Sequence, residues 1–163
     1  HNGSLEGIWD TMSLRSGIYR PVGDTDSEFA FCVLLERLAP LWRGAGGPPA
    51  LRDRLRIFAD TAAEFAALGP ANFLYSDGDV LFLHAHERSW DEGDGRFSKP
   101  RAPGLSLARL GDLHVKGLRV EVPRADTDVF YVASVPLTRA GWTPLRAGTV
   151  VALWRGRIAA QIG

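Results

Sequence analysis

The chain has 163 residues, 45% hydrophobic and 23% charged, the composition of one folded domain with a real core, which excludes a disordered polymer. Nineteen basic residues against nineteen acidic ones leave a net charge of zero, so capture of nucleic acid or of an anionic membrane by bulk charge is not expected. A single cysteine excludes an internal disulfide, and no apolar run reaches the roughly 20 residues of a membrane-crossing helix. The expectation is a cytoplasmic protein with a small or neutral partner, no nucleic acid and no membrane.

The chain opens on His1-Asn2-Gly3. An Asn-Gly pair sets a side-chain amide donor beside a backbone N–H that no Cβ shields, which is what a developing oxyanion needs. Gly23-Asp24-Thr25-Asp26-Ser27-Glu28 follows, an acidic loop able to hold an ammonium group. Thr25-x-x-Glu28 has the spacing of a capping box, and Phe31, Leu34, Leu35 and Leu38 then recur at helical intervals. The pattern predicts an amphipathic helix from Thr25 to Leu38, closed by Pro40. Gly44 to Pro49 reads as a loop. A second helix is expected from Leu51, with Leu55, Phe58, Ala62 and Phe65 on its apolar face and Arg52, Asp53, Arg56, Asp60 and Glu64 on the other, until Gly69-Pro70 stops it.

Residues Asn72 to Ser76 and Asp79 to Ala85 flank Asp77-Gly78, the signature of a hairpin with positive φ at both turn positions. From about Glu87 to Pro103 there is little periodicity, so a long surface loop, a candidate lid, is assigned. Strands are predicted at Leu118–Val122, Val129–Val135, Thr149–Trp154 and Arg157–Gln161, the last two joined at Arg155-Gly156. Helices first and strands after imply an α+β domain rather than a parallel sheet, with no internal repeat or linker.

The chain also carries Asn72-Phe73-Leu74-Tyr75-Ser76-Asp77-Gly78 with His84 beyond it, then Ala133-Ser134-Val135-Pro136-Leu137-Thr138, Trp142-Thr143-Pro144-Leu145 and Gly148. With the His-Asn-Gly and Thr-Asp-Ser-Glu motifs before them, this succession resembles the class-II, N-terminal-nucleophile glutamine amidotransferases. It is similar to the short stand-alone type that includes the γ-glutamyl hydrolase of ergothioneine synthesis. The resemblance implies a four-layer αββα fold and a single type-2 glutamine amidotransferase domain, of which residues 1–163 form the distal part, incomplete on its N-terminal side. It implies that Asn2 supplies the oxyanion-hole amide, that the backbone N–H of Gly3 assists, and that Asp26 recognises the α-ammonium of glutamine; Asp24 lies outside the four-residue pattern. The family's nucleophile is an N-terminal cysteine and its substrate carboxylate is clamped by an upstream Arg. This chain shows neither, so it is expected to be inactive alone. The implied reaction is hydrolysis of the side-chain amide of glutamine or a γ-glutamyl amide through a cysteine thioester, with no cofactor. Its partners would be that small molecule, a separate acceptor enzyme for ammonia, or a second chain that supplies the cysteine. The alternative is a non-catalytic remnant that serves as a binding or scaffold module.

Rival chemistries are weaker. Cys32 sits between Phe31 and Val33, where a thiol packs as a small apolar group. His84 and His86 alternate on a strand and would need Glu87 or Asp91 to hold a metal, but no zinc-type spacing follows, so no metal is expected. The Gly44–Gly47 stretch has no Gly-Lys-Ser/Thr ending, and Ser106 lacks the second glycine of a nucleophile elbow. Trp142 and Pro144 are expected to pack a loop against the sheet more than to line a cleft.

Overall fold

The structure is a computed structural model that describes residues 1–109 and 128–163; the strand predicted at Leu118–Val122 lies outside them. In chain order the elements are β1 (Asn2–Gly3), α1 (Ile8–Thr11), α2 (Asp26–Trp42), α3 (Leu51–Ala66), β2 (Ala71–Ser76), β3 (Leu81–His84), β4 (Ser106–Arg109), β5 (Phe130–Ala133), β6 (Thr143–Pro144), β7 (Val150–Trp154) and β8 (Arg157–Ile162). They build a five-stranded sheet in the order β1-β2-β3-β7-β8 and a three-stranded sheet in the order β5-β4-β6, antiparallel at every pairing. This is a mixed helix and antiparallel-sheet fold.

Strand alternation assigns the layers. Phe73, Tyr75, Phe82, Val150 and Ala152 pack with Val33, Leu34, Phe58, Ala62 and Phe65 of α2 and α3. Their strand neighbours Leu83, Val151 and Leu153 point the other way and pack with Leu105, Leu107 and Leu145. The five-stranded sheet therefore has one face against the helices and the other against the smaller sheet, the period-2 consequence of burial on both sides.

At the start of α2, Thr25 Oγ1 accepts from the Glu28 N–H at 3.2 Å, as the spacing predicts. The Glu28 carboxylate does not reach back to complete the box. It accepts from the N–H groups of Val22 at 2.7 Å and Gly23 at 2.8 Å, tying the preceding loop to the helix. Two further expectations for α2 are corrected. The helix runs through Pro40 to Trp42: the proline stands near the C-terminus, its fixed φ suits a helix, and Leu41 and Trp42 beyond it pack on the core. The buried face carries Ala30, Val33, Leu34 and Leu38, whereas Phe31 is 49% exposed; residues 29–35 are apolar on every side, so periodicity singled out no face.

The hairpin exists, but Ser76 pairs with Leu81, so its loop has four residues rather than two. Only Gly78 has positive φ, at 89°. Asp77 builds the turn by accepting from the Asp79 and Val80 N–H groups at 3.0 and 2.9 Å, a carboxylate substituting for a backbone acceptor. The Arg155-Gly156 turn does have positive φ at both residues, 47° and 75°. The expected order of helices before strands is corrected by β1, which precedes them and pairs with β2. The strand β4 was not predicted, because Ser-Leu-Ala-Arg has little β-propensity and follows a Pro103-Gly104 break. The expected surface loop after Glu87 is an irregular hairpin: Arg88 and Arg101 exchange backbone hydrogen bonds at 3.2 and 3.1 Å, and the Arg88 guanidinium stacks 3.6 Å from the centre of the Trp90 ring.

Candidate functional site

The site is organised by β1. Asn2 lies opposite Asn72 and Gly3 opposite Ala71. Gly3 has φ of 153° and a Cβ there would fall 1.6 Å from the carbonyl oxygen of Pro70, so only glycine lets the two main chains cross. The Asn72 side chain, 1% exposed, holds the crossing together. Its Nδ2 donates to the carbonyl oxygens of Asn2 at 3.2 Å and Glu87 at 2.7 Å, and its Oδ1 accepts from the His86 N–H at 2.7 Å. A buried amide with this many partners fixes the segments it joins.

Side chains on either side of β1 then diverge. Asn2 Nδ2 donates to Ser134 Oγ at 3.1 Å, at the end of β5 in the other sheet. Asn2, Gly3 and Ser134 line one cleft of about 360 Å³ with Pro70, Arg88 and Val135. On the helix side, His1 contacts Ser27 Oγ through Nδ1 at 2.8 Å and Pro70 O through Nε2 at 3.3 Å. Ser27 in turn donates to Asp26 Oδ1 at 3.1 Å. The Ser27 hydroxyl thus stands between the His1 ring and the Asp26 carboxylate, a short chain of polar contacts that ties β1 to the start of α2. The other Asp26 oxygen accepts from the Leu5 N–H at 2.7 Å.

Asn2 and Gly3 thus share a cleft, as their adjacency implies. Asp26 is half-buried at the start of α2 and linked to β1 at both ends, through His1 and through Leu5, but it is not among the residues that line that cleft. His1, Ser27, Asn72 and Ser134 were not singled out from sequence as parts of the site; the contacts of His1 with Ser27, and of Asn2 with Asn72 and Ser134, span 26 to 132 residues, beyond any local pattern.

The other candidates take structural places. Cys32 is buried and its thiol pKa is raised, first by desolvation and then by Glu28, the opposite of an activated nucleophile. His84 is 2% exposed and its Nδ1 lies 2.6 Å from the carbonyl oxygen of Ala71, while His86 Nδ1 accepts from the Ala71 N–H at 3.4 Å. The two rings stack at 6.0 Å, so these histidines brace β2 against β3 and its extension. Among the described residues no group of three His, Cys, Asp or Glu is placed to hold a metal ion. Ser106 is buried and paired in β4, and Trp142 donates to Thr138 Oγ1 at 3.1 Å beside Tyr131.

The sequence pattern of the class-II glutamine amidotransferases matches residues 1–163, and the chain belongs to that family. It is 30% identical over 161 residues to an uncharacterized protein of Methanocaldococcus jannaschii, covering 97% of this chain and 41% of that protein. YafJ of Escherichia coli, named as a candidate glutamine amidotransferase, is 43% identical over 85 residues, 52% of this chain and 31% of its own. A crystal structure from Pseudomonas aeruginosa, titled a predicted glutamine amidotransferase, superposes with a TM-score of 0.70 at 29% identity over 98% of this chain and 58% of that one. The chain spans about half the length, or less, of the curated relatives it matches. No helix among the described residues is long and apolar enough to cross a membrane.

Proposed function

We propose that the protein containing these residues hydrolyses the side-chain amide of glutamine, or of a γ-glutamyl amide, through a cysteine thioester. The observation that carries this reading is the Asn2-Gly3 corner, an amide donor and an unshielded backbone held at the rim of a cleft by a buried asparagine. The thiol comes from outside residues 1–163, because burial pushes the pKa of the only cysteine here upward. In this mechanism a thiolate attacks the amide carbon. The carbonyl electrons move to an oxyanion that accepts from Asn2 Nδ2 and the Gly3 N–H, and the collapsing intermediate expels ammonia with a proton from the nucleophile's own α-amino group. Water then cleaves the thioester to give the γ-carboxylate. Asp26 binds the α-ammonium of the substrate, and a fourth, helical layer covers the smaller sheet.

In the full-length protein, Asn2→Ala should lower kcat for glutamine hydrolysis by about 10²- to 10³-fold with little change in KM, read as ammonia release at saturating glutamine. A variant with parental kcat would sink the oxyanion assignment.

A further inference from the structure

Resting on that reading of Asn2, we infer that Ser134 is the positioning residue for the oxyanion donor: its hydroxyl oxygen takes one N–H of the Asn2 carboxamide and aims the other into the cleft. The torsion at the end of an asparagine side chain has a broad, two-fold preference. Asn2 is exposed, on a strand of two residues, so nothing local selects the orientation of its amide. A flipped amide would present Oδ1, not Nδ2, to a developing negative charge and would oppose the reaction. A hydroxyl fixed on one side of the carboxamide holds its plane, and Ser134 Oγ stands there at 3.1 Å as the acceptor of one Nδ2 proton.

The two anchors of Asn2 come from different sheets. Its carbonyl is held by Asn72 of β2, whose own place is crowded: a Cβ on Gly104 would lie 2.0 Å from Asn72 Oδ1. Its side chain is held by Ser134, which directly follows β5, where Ala133 pairs with Ser106 of β4. The docking of the smaller sheet on the larger one therefore sets the plane in which the amide lies, and Ser134 acts on the reaction through Asn2 without touching substrate.

The test is a double-mutant cycle in the full-length protein, with glutamine hydrolysis read as kcat and KM and each variant checked by its thermal midpoint. Losing one neutral hydrogen bond corresponds to about 3- to 10-fold. Ser134→Ala should lower kcat by that factor and leave KM within about twofold. Ser134→Thr, which keeps the hydroxyl, should recover most of it, and Ser134→Cys, close in size with a weak acceptor, should show the same loss of kcat and replaces alanine where alanine lowers the thermal midpoint. In the Asn2→Ala background the same changes should have no further effect on kcat. Equal losses in both backgrounds, or a rise in KM at constant kcat, would overturn the inference alone. An Asn2→Ala enzyme with parental kcat would overturn the oxyanion reading and this inference with it.

Discussion

A carboxylate that accepts two hydrogen bonds from its own chain keeps lone pairs for a ligand, and Asp26 is in that position. Its contact with the Leu5 N–H fixes the turn three residues after Asn2, so the same side chain shapes the site and, in the proposed function, charges it. The two contributions separate by substitution. Asp26→Asn keeps an oxygen for Leu5 and removes the charge, and a charge-assisted hydrogen bond is worth about 1.5–3 kcal/mol. We expect KM for glutamine to rise by about 10- to 100-fold with the thermal midpoint little changed. Asp26→Ala should lower the midpoint as well, because the Leu5 N–H loses its acceptor. Steady-state kinetics beside thermal melts decide this, and an asparagine variant with parental KM would leave Asp26 a purely structural residue.

Between elements, one buried ion cluster outweighs the surface pairs. Arg54 of α3 is 4% exposed and bonds Asp77 at 2.7 Å and Asp79 at 2.9 Å, with the Asp77 side chain 3% exposed, so the helix is clamped to the β2–β3 turn. Removing one partner leaves a buried charge, at a cost of about 3–5 kcal/mol. Arg54→Met should reduce unfolding free energy in urea by that amount, and Asp77→Asn added to it should recover part. A loss below about 1 kcal/mol would class the cluster with exposed pairs such as Arg56 with Asp60. The same region shows what sequence makes legible. The α3 face, the Thr25 cap and the turn at Asp77-Gly78 follow from local chemistry and were readable. The clamp on that turn and the face of α2 depend on partners more than twenty residues away, and β4 exists because the smaller sheet offers it partners, not because of its own residues. The candidate site divides in the same way: the motifs that hold Asn2, Gly3 and Asp26 are legible in the sequence, whereas the contacts of Asn2 with Ser134 and Asn72 are not.

Across the whole molecule, the shifted histidine and carboxylates act in one direction at the acid end, and the shifted thiol and phenol act in one direction at the alkaline end. Desolvation lowers the pKa of His84 from its ordinary 6.5, so the unfolded chain takes up a proton that the folded one refuses, and stability falls as pH drops below about 6.5. The pKa values of Glu36, Glu64 and Asp79 are lowered mainly by hydrogen bonds from Ser16, Arg37 and Arg54 respectively. Their contribution is present above the unfolded carboxylate range and is lost on further acidification, giving a second acid limb. At the alkaline end burial raises Cys32 from 9.0 and Tyr75 to about 12, so the unfolded chain ionises first and stability falls as pH rises past these groups' ordinary values. For Tyr75 the shift corresponds to about 2–3 kcal/mol. Guanidinium unfolding followed across pH should give a plateau between about 7 and 9 with a shallow limb below 6.5 and a steeper one above 10. His84→Gln, which keeps a donor for the Ala71 carbonyl, should flatten the first, and Tyr75→Phe the second. A stability that stayed constant down to pH 5 would mean that His84 accepts its proton in place, and hence that the β2–β3 brace beneath Asn72 opens readily to water.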